Sequence, residues 1–243
     1  MTLAEFSDSF DVLYNNISSN TAPGINSYEK SVLLTKAQDE LVKNYFNPKG
    51  NKYQEGFEDS AKRYSDFSTL IQQYSSEYYE LTGRNEQSFD PRGKKFQIPA
   101  DVIAIINESI VTNNGVKQVI PIDHNEYTRL MSRPYKEPLK YQAWRITGSS
   151  YKDLAPTVEI IANTSDTIRF YNFKYIRKPK PIILVDLTKE YGDEISIDGE
   201  TGPNECELGP VLHQEILQRA VELAKVTYLG DANGLLNIGQ RSE

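Results

Sequence analysis

The sequence predicts an α+β fold: helices at the N- and C-terminal ends form a helical bundle, and a mainly antiparallel β lobe is inserted between them. Apolar residues recur at helical spacing near both ends, which gives the helices. From about Phe96 the period changes to two and β-branched residues accumulate, which gives the lobe. At 243 residues the chain is long enough for one large domain or for two lobes sharing an interface. The pattern divides it into a helical part over 1–90, a β-rich lobe over 91–205, and a C-terminal helix and tail over 206–243 that pack back on the helical part.

A short helix covers roughly Leu3 to Tyr14. In "NSYEKSVLLTKAQDELVKNYF", Tyr28, Val32, Leu33, Ala37, Leu41 and Tyr45 fall on one stripe, with Asn26 and Glu29 spaced as a capping box, so a helix is expected over about 27–46. "NPKGNK" reads as a loop, and "FEDSAKRYSDF" as a further helix with Phe57, Ala61 and Tyr64 on one face. Residues 68–95 mix tyrosine clusters with turn signals and show no single period. Four or five strands follow, through "FQIPADVIAIINESIVT", "YQAWRIT", "TVEIIAN" and "TIRFYNFKYI", with one short helix at "DHNEYTRLMSR" and an extended "PYKEP" after it. The last helix is the clearest: Pro210 suits its first turn, Leu212, Ile216, Ala220, Leu223 and Ala224 form its stripe, and Gly230 suits its stop.

Composition narrows the function. A net charge of −7 argues against wrapping nucleic acid, which requires a concentrated Lys/Arg face. The lone Cys206 excludes an intramolecular disulfide and a cysteine-based zinc cluster. No apolar run is long enough to span a bilayer, and the N-terminus has no basic region followed by an apolar one, so a soluble protein made in the cytoplasm, without membrane contact, is expected.

Signatures of catalysis are missing. Walker loops, dinucleotide fingerprints and nucleophile elbows do not occur, and the two histidines, His124 and His213, have no metal-ligand spacing, so both read as structural and no cofactor, metal or catalytic residue is assigned. Glu194, Ser196, Asp198, Gly199 and Glu205 match a calcium-loop spacing, but Glu stands first, a strand-like segment precedes it and Pro203 interrupts it; a surface loop is the simpler reading.

The stretch "FYNFKYIRKPKPIILVDL" places Arg177, Lys178 and Lys180 around Pro179 and Pro181. β signals on both sides disfavour a disordered proline-rich ligand. Two readings remain: a charged, proline-blocked edge strand, or a contact for an acidic protein surface.

In order along the chain, "EFSDSFDVLYNNISSNTAPGINSYEKSVLLTKAQDELVKNYF", "IPIDHNEYTRLMSRPYKEPLKYQAWRI", "YIRKPKPIIL" and "LHQEILQRAVELAKVTYLGD" resemble structural proteins of tailed bacteriophages, most closely the head–tail connector (adaptor or ring) proteins of crAss-like phages. The layout is more distantly similar to adaptors of the tail tubular protein A type. The resemblance implies a non-enzymatic virion component at the head–tail junction, made in the bacterial host: a homo-oligomeric, dodecameric ring that binds the portal protein and the next tail or ring protein. Double-stranded DNA would pass through it without sequence-specific binding, which an acidic wall suits. It further implies that Leu235, Leu236, Ile238 and Arg241 face the portal or a neighbour, and that Arg177, Lys178, Lys180, Arg63 and Tyr64 contact the adjoining ring subunit. The alternative from a different class is a soluble carbohydrate- or protein-binding module with a β-sandwich lobe, which would work as a monomer; a hydrolase would need a convergent polar pocket.

Overall fold

Both N-terminal helices start at reciprocal capping boxes. The computed structural model describes residues 1–15, 24–46, 65–77, 90, 92–132, 137–149, 156–192 and 195–229; it places α1 over Leu3–Asn15 and α2 over Ser27–Phe46. At α2 the Glu29 amide donates to Asn26 Oδ1 at 2.8 Å while the Asn26 amide donates to Glu29 Oε2 at 3.0 Å, as the spacing predicts. Thr2 and Glu5 make the same exchange ahead of α1 at 3.3 and 2.9 Å.

The chain divides into two compact units, Met1–Leu70 with Pro179–Glu243, and Ile71–Lys178. In the first, α1 buries Phe6, Phe10 and Tyr14 at four-residue spacing. The buried face of α2 is Leu33, Leu34, Ala37, Leu41 and Val42; Val32, expected on that stripe, is 37% exposed. A 3₁₀ turn over Pro210–Leu212 leads into the C-terminal helix, His213–Leu229, whose stripe from Leu212 to Ala224 is buried as its spacing predicts. This helix packs on both others: Phe6 stacks against His213 with ring centroids 5.3 Å apart, and Arg219 Nε donates to Glu40 at 2.7 Å.

The segment "IILV" after the second proline, strand-like in sequence, joins no multi-residue ladder among the described residues; its β pairing is a single antiparallel bridge, in which Ile183 and Asn204 exchange backbone bonds at 3.1 and 3.0 Å. It lies extended along α2, whose otherwise apolar face carries three polar side chains at i, i+4 and i+7. Ser31 Oγ accepts from the Leu184 amide at 3.0 Å, Thr35 Oγ1 both accepts from the Ile182 amide at 3.1 Å and donates to its carbonyl at 3.3 Å, and Gln38 Nε2 donates to the Lys180 carbonyl at 2.8 Å. Four helical residues rise roughly 6 Å and two extended residues roughly 6.6 Å, so the two periods stay in step over this distance.

The second unit is one seven-stranded sheet among the described residues, in the order β1-β7-β3-β4-β5-β6-β2. Its strands are β1 (Ile71–Glu77), β2 (Gly93–Gln97), β3 (Val102–Thr112), β4 (Gly115–Pro121), β5 (Gln142–Ser149), β6 (Pro156–Ile161) and β7 (Ile168–Arg177). The β3–β7 register slips by one residue at Ile103, Ile106 and Arg169, and such bulges bend a sheet. It curls around a core to which six strands contribute, including Phe96, Ile110, Val119, Ala143, Ile160 and Tyr171, and a second, smaller cluster of Trp144, Ile146 and Ile161 packs against Tyr127 of the helix after β4.

The expected architecture is overturned in one respect: the helices are scattered along the chain and not confined to a bundle of its two ends. Five α-helices occur among the described residues, and two lie in the middle of the chain. β4 and β5 run parallel, and a parallel pair needs a crossover, which α3 (His124–Met131) occupies within the sheet unit. α4 (Leu187–Tyr191) forms where Asp186 Oδ1 accepts from the Lys189 amide at 3.4 Å and caps a single turn. The β part is correspondingly larger than four or five strands, since β1 adds an edge in the stretch that shows no sequence period.

Candidate interaction surfaces

The basic run does not protect an edge strand. β7 lies inside the sheet, paired with β1 on one side and β3 on the other, and the run begins at its last residue, Arg177. The reading as a proline-blocked edge is therefore corrected: sequence shows the prolines but not the neighbours that a strand acquires. Backbone bonds hold the run on both sides. The Lys178 amide donates to the Asp101 carbonyl at 2.7 Å, and the Lys180 amide donates to Glu207 Oε2 at 2.9 Å. Pro179 is buried while the side chains of Lys178 and Lys180 are exposed, and Arg177 is half-buried with Nη1 3.4 Å from the Lys178 carbonyl oxygen that accepts from it. The exposed Lys178 and Lys180 side chains bring two ammonium groups to the surface, while the Arg177 guanidinium is partly buried.

The first unit carries carboxylates as well. A groove of about 310 Å³ between α2 and the C-terminal helix is lined by Glu40, Glu215, Glu222 and Arg219, and Arg219 holds Glu40 at 2.7 Å and Glu222 at 3.0 Å. Its net charge is negative. This groove was not visible as a motif, because its acids come from helices far apart in sequence.

Inside the sheet unit, three ionic clusters fix its frame. Asp90, 1% exposed, accepts from the Arg92 amide at 2.7 Å, from Arg92 Nε at 3.1 Å and Nη2 at 2.8 Å, and from Tyr127 Oη at 2.6 Å. Burial alone would push this carboxyl up, but the bonds from Arg92 and Tyr127 outweigh it and hold it at about 2. Burial and the Asp90 carboxylate push Tyr127 up to about 12. Glu159 accepts from the Asp90 amide at 2.9 Å and lies against Gly93, where a Cβ would collide with its carboxylate and force it to shift. Glu108 pairs with Arg145 at 2.8 Å and accepts from Tyr171 Oη at 2.7 Å; burial and then Glu108 raise the Tyr171 pKa. Lys117 forms an ion pair with Asp166, which also accepts from Asn114 Nδ2 at 2.9 Å. Each cluster ties strands and loops together, which suits structural cross-linking.

Two surface features of this unit stand out among the described residues. Val116, Leu139 and Tyr141 are 70, 66 and 75% exposed, and the Tyr141 carbonyl accepts from the Gln118 amide, so all three lie where the parallel strands β4 and β5 begin. A groove of about 550 Å³ runs between the edge strands, with Tyr74, Ser75 and Ser76 of β1 on one bank and Lys95, Phe96 and Gln97 of β2 on the other.

Other sequence expectations fall as follows. Arg63, Tyr64, Leu235, Leu236, Ile238 and Arg241, like the helix expected around Phe57 to Tyr64 and the stop at Gly230, lie outside the described residues. His124 Nε2 stands 3.2 Å from the Thr147 carbonyl, and buried His213 sits between the N-terminal amine at 2.8 Å and the Leu208 carbonyl at 3.0 Å. Burial lowers the His213 pKa. In the calcium-like loop, Glu194 is outside the described residues, and Asp198 (φ 51°) and Gly199 (φ 84°) form a tight hairpin turn closed by reciprocal 3.0 Å bonds between Ile197 and Glu200. No group of His, Cys, Asp and Glu among the described residues is arranged to hold a metal ion. The Cys206 thiol, pushed up to about 11 by burial, donates to Gln38 Oε1 at 3.4 Å.

Comparison with known proteins matches residues 1–235 to the model of a family described as phage tail ring protein 3/4. The chain is 56% identical over 243 residues to "Ring protein 4/5" of Bacteroides phage crAss001, covering 100% of both chains. It is 33% identical over 235 residues to "Ring protein 3" of the same phage, covering 93% of this chain and 96% of the relative.

Proposed function

Since the chain belongs to the phage tail ring protein 3/4 family, whose members are structural components of the phage particle and not enzymes, we propose that it is a subunit of the connector between capsid and tail. Copies close into a homo-oligomeric, dodecameric ring that stacks at the head–tail junction, on the portal or on an adjoining ring, and passes its far face to the next tail protein. The observation that carries this reading is end-to-end similarity to a ring protein at 56% identity. The higher identity to the 4/5 type than to the type named 3 favours a position of the former kind.

Surface chemistry supports the reading. A ring needs two unlike surfaces on each subunit that fit head to tail. The outward Lys178 and Lys180, beside half-buried Arg177, are one such surface, and acidic patches of the kind between α2 and the C-terminal helix are what they would meet. Arg63 and Tyr64 are assigned to the same ring contact, and Leu235, Leu236, Ile238 and Arg241 to the portal or a neighbouring copy. A chain of net charge −7 lining the passage would let double-stranded DNA slide without sequence-specific binding.

Electron microscopy of the purified protein, alone and mixed with the portal protein of the same phage, tests this. Closed rings, formed or made uniform by portal, are expected. Monomers indifferent to portal would contradict portal docking.

A further inference from the structure

The β3–β4 hairpin is fastened to the loop between β6 and β7. Asn113 exchanges two bonds with Thr167: its amide donates to the Thr167 carbonyl at 3.2 Å, and its Oδ1 accepts from the Thr167 amide at 2.9 Å. Asn114 Nδ2 donates to the Ser165 carbonyl at 3.2 Å and to Asp166 Oδ1 at 2.9 Å. Asp166, whose side chain is fully buried, pairs through its other oxygen with Lys117. Thr112 Oγ1 accepts from the Asn114 amide at 3.2 Å and donates to the Gly115 carbonyl at 2.9 Å, which pins the backbone on both sides of the Asn114–Gly115 bond.

The turn itself demands that dipeptide. Gly115 has φ 108°, a conformation that residues with side chains rarely adopt, so glycine follows Asn114 by necessity. An asparagine followed by glycine is chemically labile. With no Cβ beside it, the Gly115 nitrogen can attack Cγ of Asn114. The new C–N bond closes a five-membered succinimide, the Cγ–Nδ2 bond breaks, and Nδ2 leaves as ammonia with the proton of the Gly115 amide. Water then opens the ring at either carbonyl and leaves aspartate or isoaspartate.

We propose that Asn114 is a latent deamidation site, held unreactive by the loop between β6 and β7, and that its conversion loosens the hairpin from that loop. Asn114 and Gly115 are both exposed, so water for the hydrolysis is at hand and the restraint lies in the position of the amide. Swinging Cγ onto the Gly115 nitrogen requires Nδ2 to give up Ser165 and Asp166 together, the second of these a charge-assisted bond. After conversion the donor is gone. A carboxylate oxygen would face Asp166 Oδ1 and the Ser165 carbonyl, none of which can donate, and two carboxylates would share Lys117. Isoaspartate would also add a methylene to the backbone of the turn. A subunit of an assembled phage particle is not replaced, so the lock bears on how long this turn stays intact.

Peptide mapping of the full chain, kept at mildly alkaline pH either folded or in concentrated urea, tests this; the second Asn-Gly pair, at 233–234, falls in a separate peptide. Conversion at Asn114 is expected to run about tenfold or more slower in the folded protein. Lys117→Met with Asp166→Ala frees Nδ2 from Asp166 without leaving a buried ammonium unpaired, and in that folded variant the reaction should speed up about threefold or more. Equal rates folded and unfolded, or a folded double variant as slow as the unsubstituted chain, overturn the proposal. A second measurement needs no slow chemistry. Asn114→Asp, which installs the charge of the product, should lower the urea midpoint read from Trp144 fluorescence by about 0.5 M or more, and Asn114→Asp with Asp166→Asn should lose less than the two single variants summed. An unchanged midpoint for Asn114→Asp, or losses that add, overturns the proposal as well.

Discussion

Replacing Asp90 with Asn removes the charge at the centre of the cluster that joins the loop before β2 to α3. The carboxylate is 1% exposed and takes three bonds from Arg92 and one from Tyr127. A folded-state pKa held at about 2, below the ordinary 3.8, corresponds to roughly 2 kcal/mol of stabilisation. Because the folded pKa is depressed, this stabilisation is fully present above about pH 4 and is lost as pH falls toward 2. Asn also leaves Arg92, 19% exposed, facing a neutral partner, so a total loss of about 2–3 kcal/mol is expected at pH 7. Trp144, the single tryptophan, packs in one cluster with Tyr127 and reports unfolding of this region by fluorescence. Urea midpoints measured from pH 7 to pH 2 should differ by about 1 M between the two proteins at neutral pH, and the difference should shrink below pH 4. A pH-independent gap, or one under about 0.5 kcal/mol, would refute the assignment.

Thr35→Val leaves the amide and carbonyl of fully buried Ile182 without their shared hydroxyl, and should cost about 2–3 kcal/mol in urea denaturation; a loss under about 0.5 kcal/mol would mean that the extended segment is not held by α2. With its thiol pushed up to about 11, Cys206 should react with a disulfide reagent at pH 8 about a hundredfold or more slower in the native protein than in urea, and equal rates would contradict its burial. Lys178→Glu with Lys180→Glu should weaken ring assembly and reverse its salt dependence while leaving the thermal midpoint of the unassembled chain unchanged, since both side chains are exposed; full assembly would remove the basic run from the ring contact.

Elements whose signal is local were legible. The box of Asn26 and Glu29, the stripe from Leu212 to Ala224 and the short helix after His124 all depend on residues within a few positions of one another. β1 was not, because its residues are mostly polar and exposed, "IQQYSSE", so its sequence carries no alternating apolar pattern. "IILV" has the composition of a buried strand, and its burial is real; beside a single bridge from Ile183 to Asn204, its backbone partner is a helix whose Ser31, Thr35 and Gln38 stand in for a sheet ladder. That spacing of polar residues on an apolar helix face was the available signal. The basic run misled for a different reason: charge and proline mark protection from pairing, but the strand order that makes β7 internal is set by long-range contacts. The same holds for the groove between β1 and β2, whose banks are the two ends of the strand order and meet only because the sheet curls.

The most direct measurement is a cryo-electron microscopy reconstruction of the intact phage particle focused on the region between capsid and tail. The account predicts a closed ring around the DNA channel into which the helical unit and the seven-stranded sheet unit both fit, once per subunit. Absence of these units from that region, or their presence only as isolated copies away from the channel axis, would contradict it.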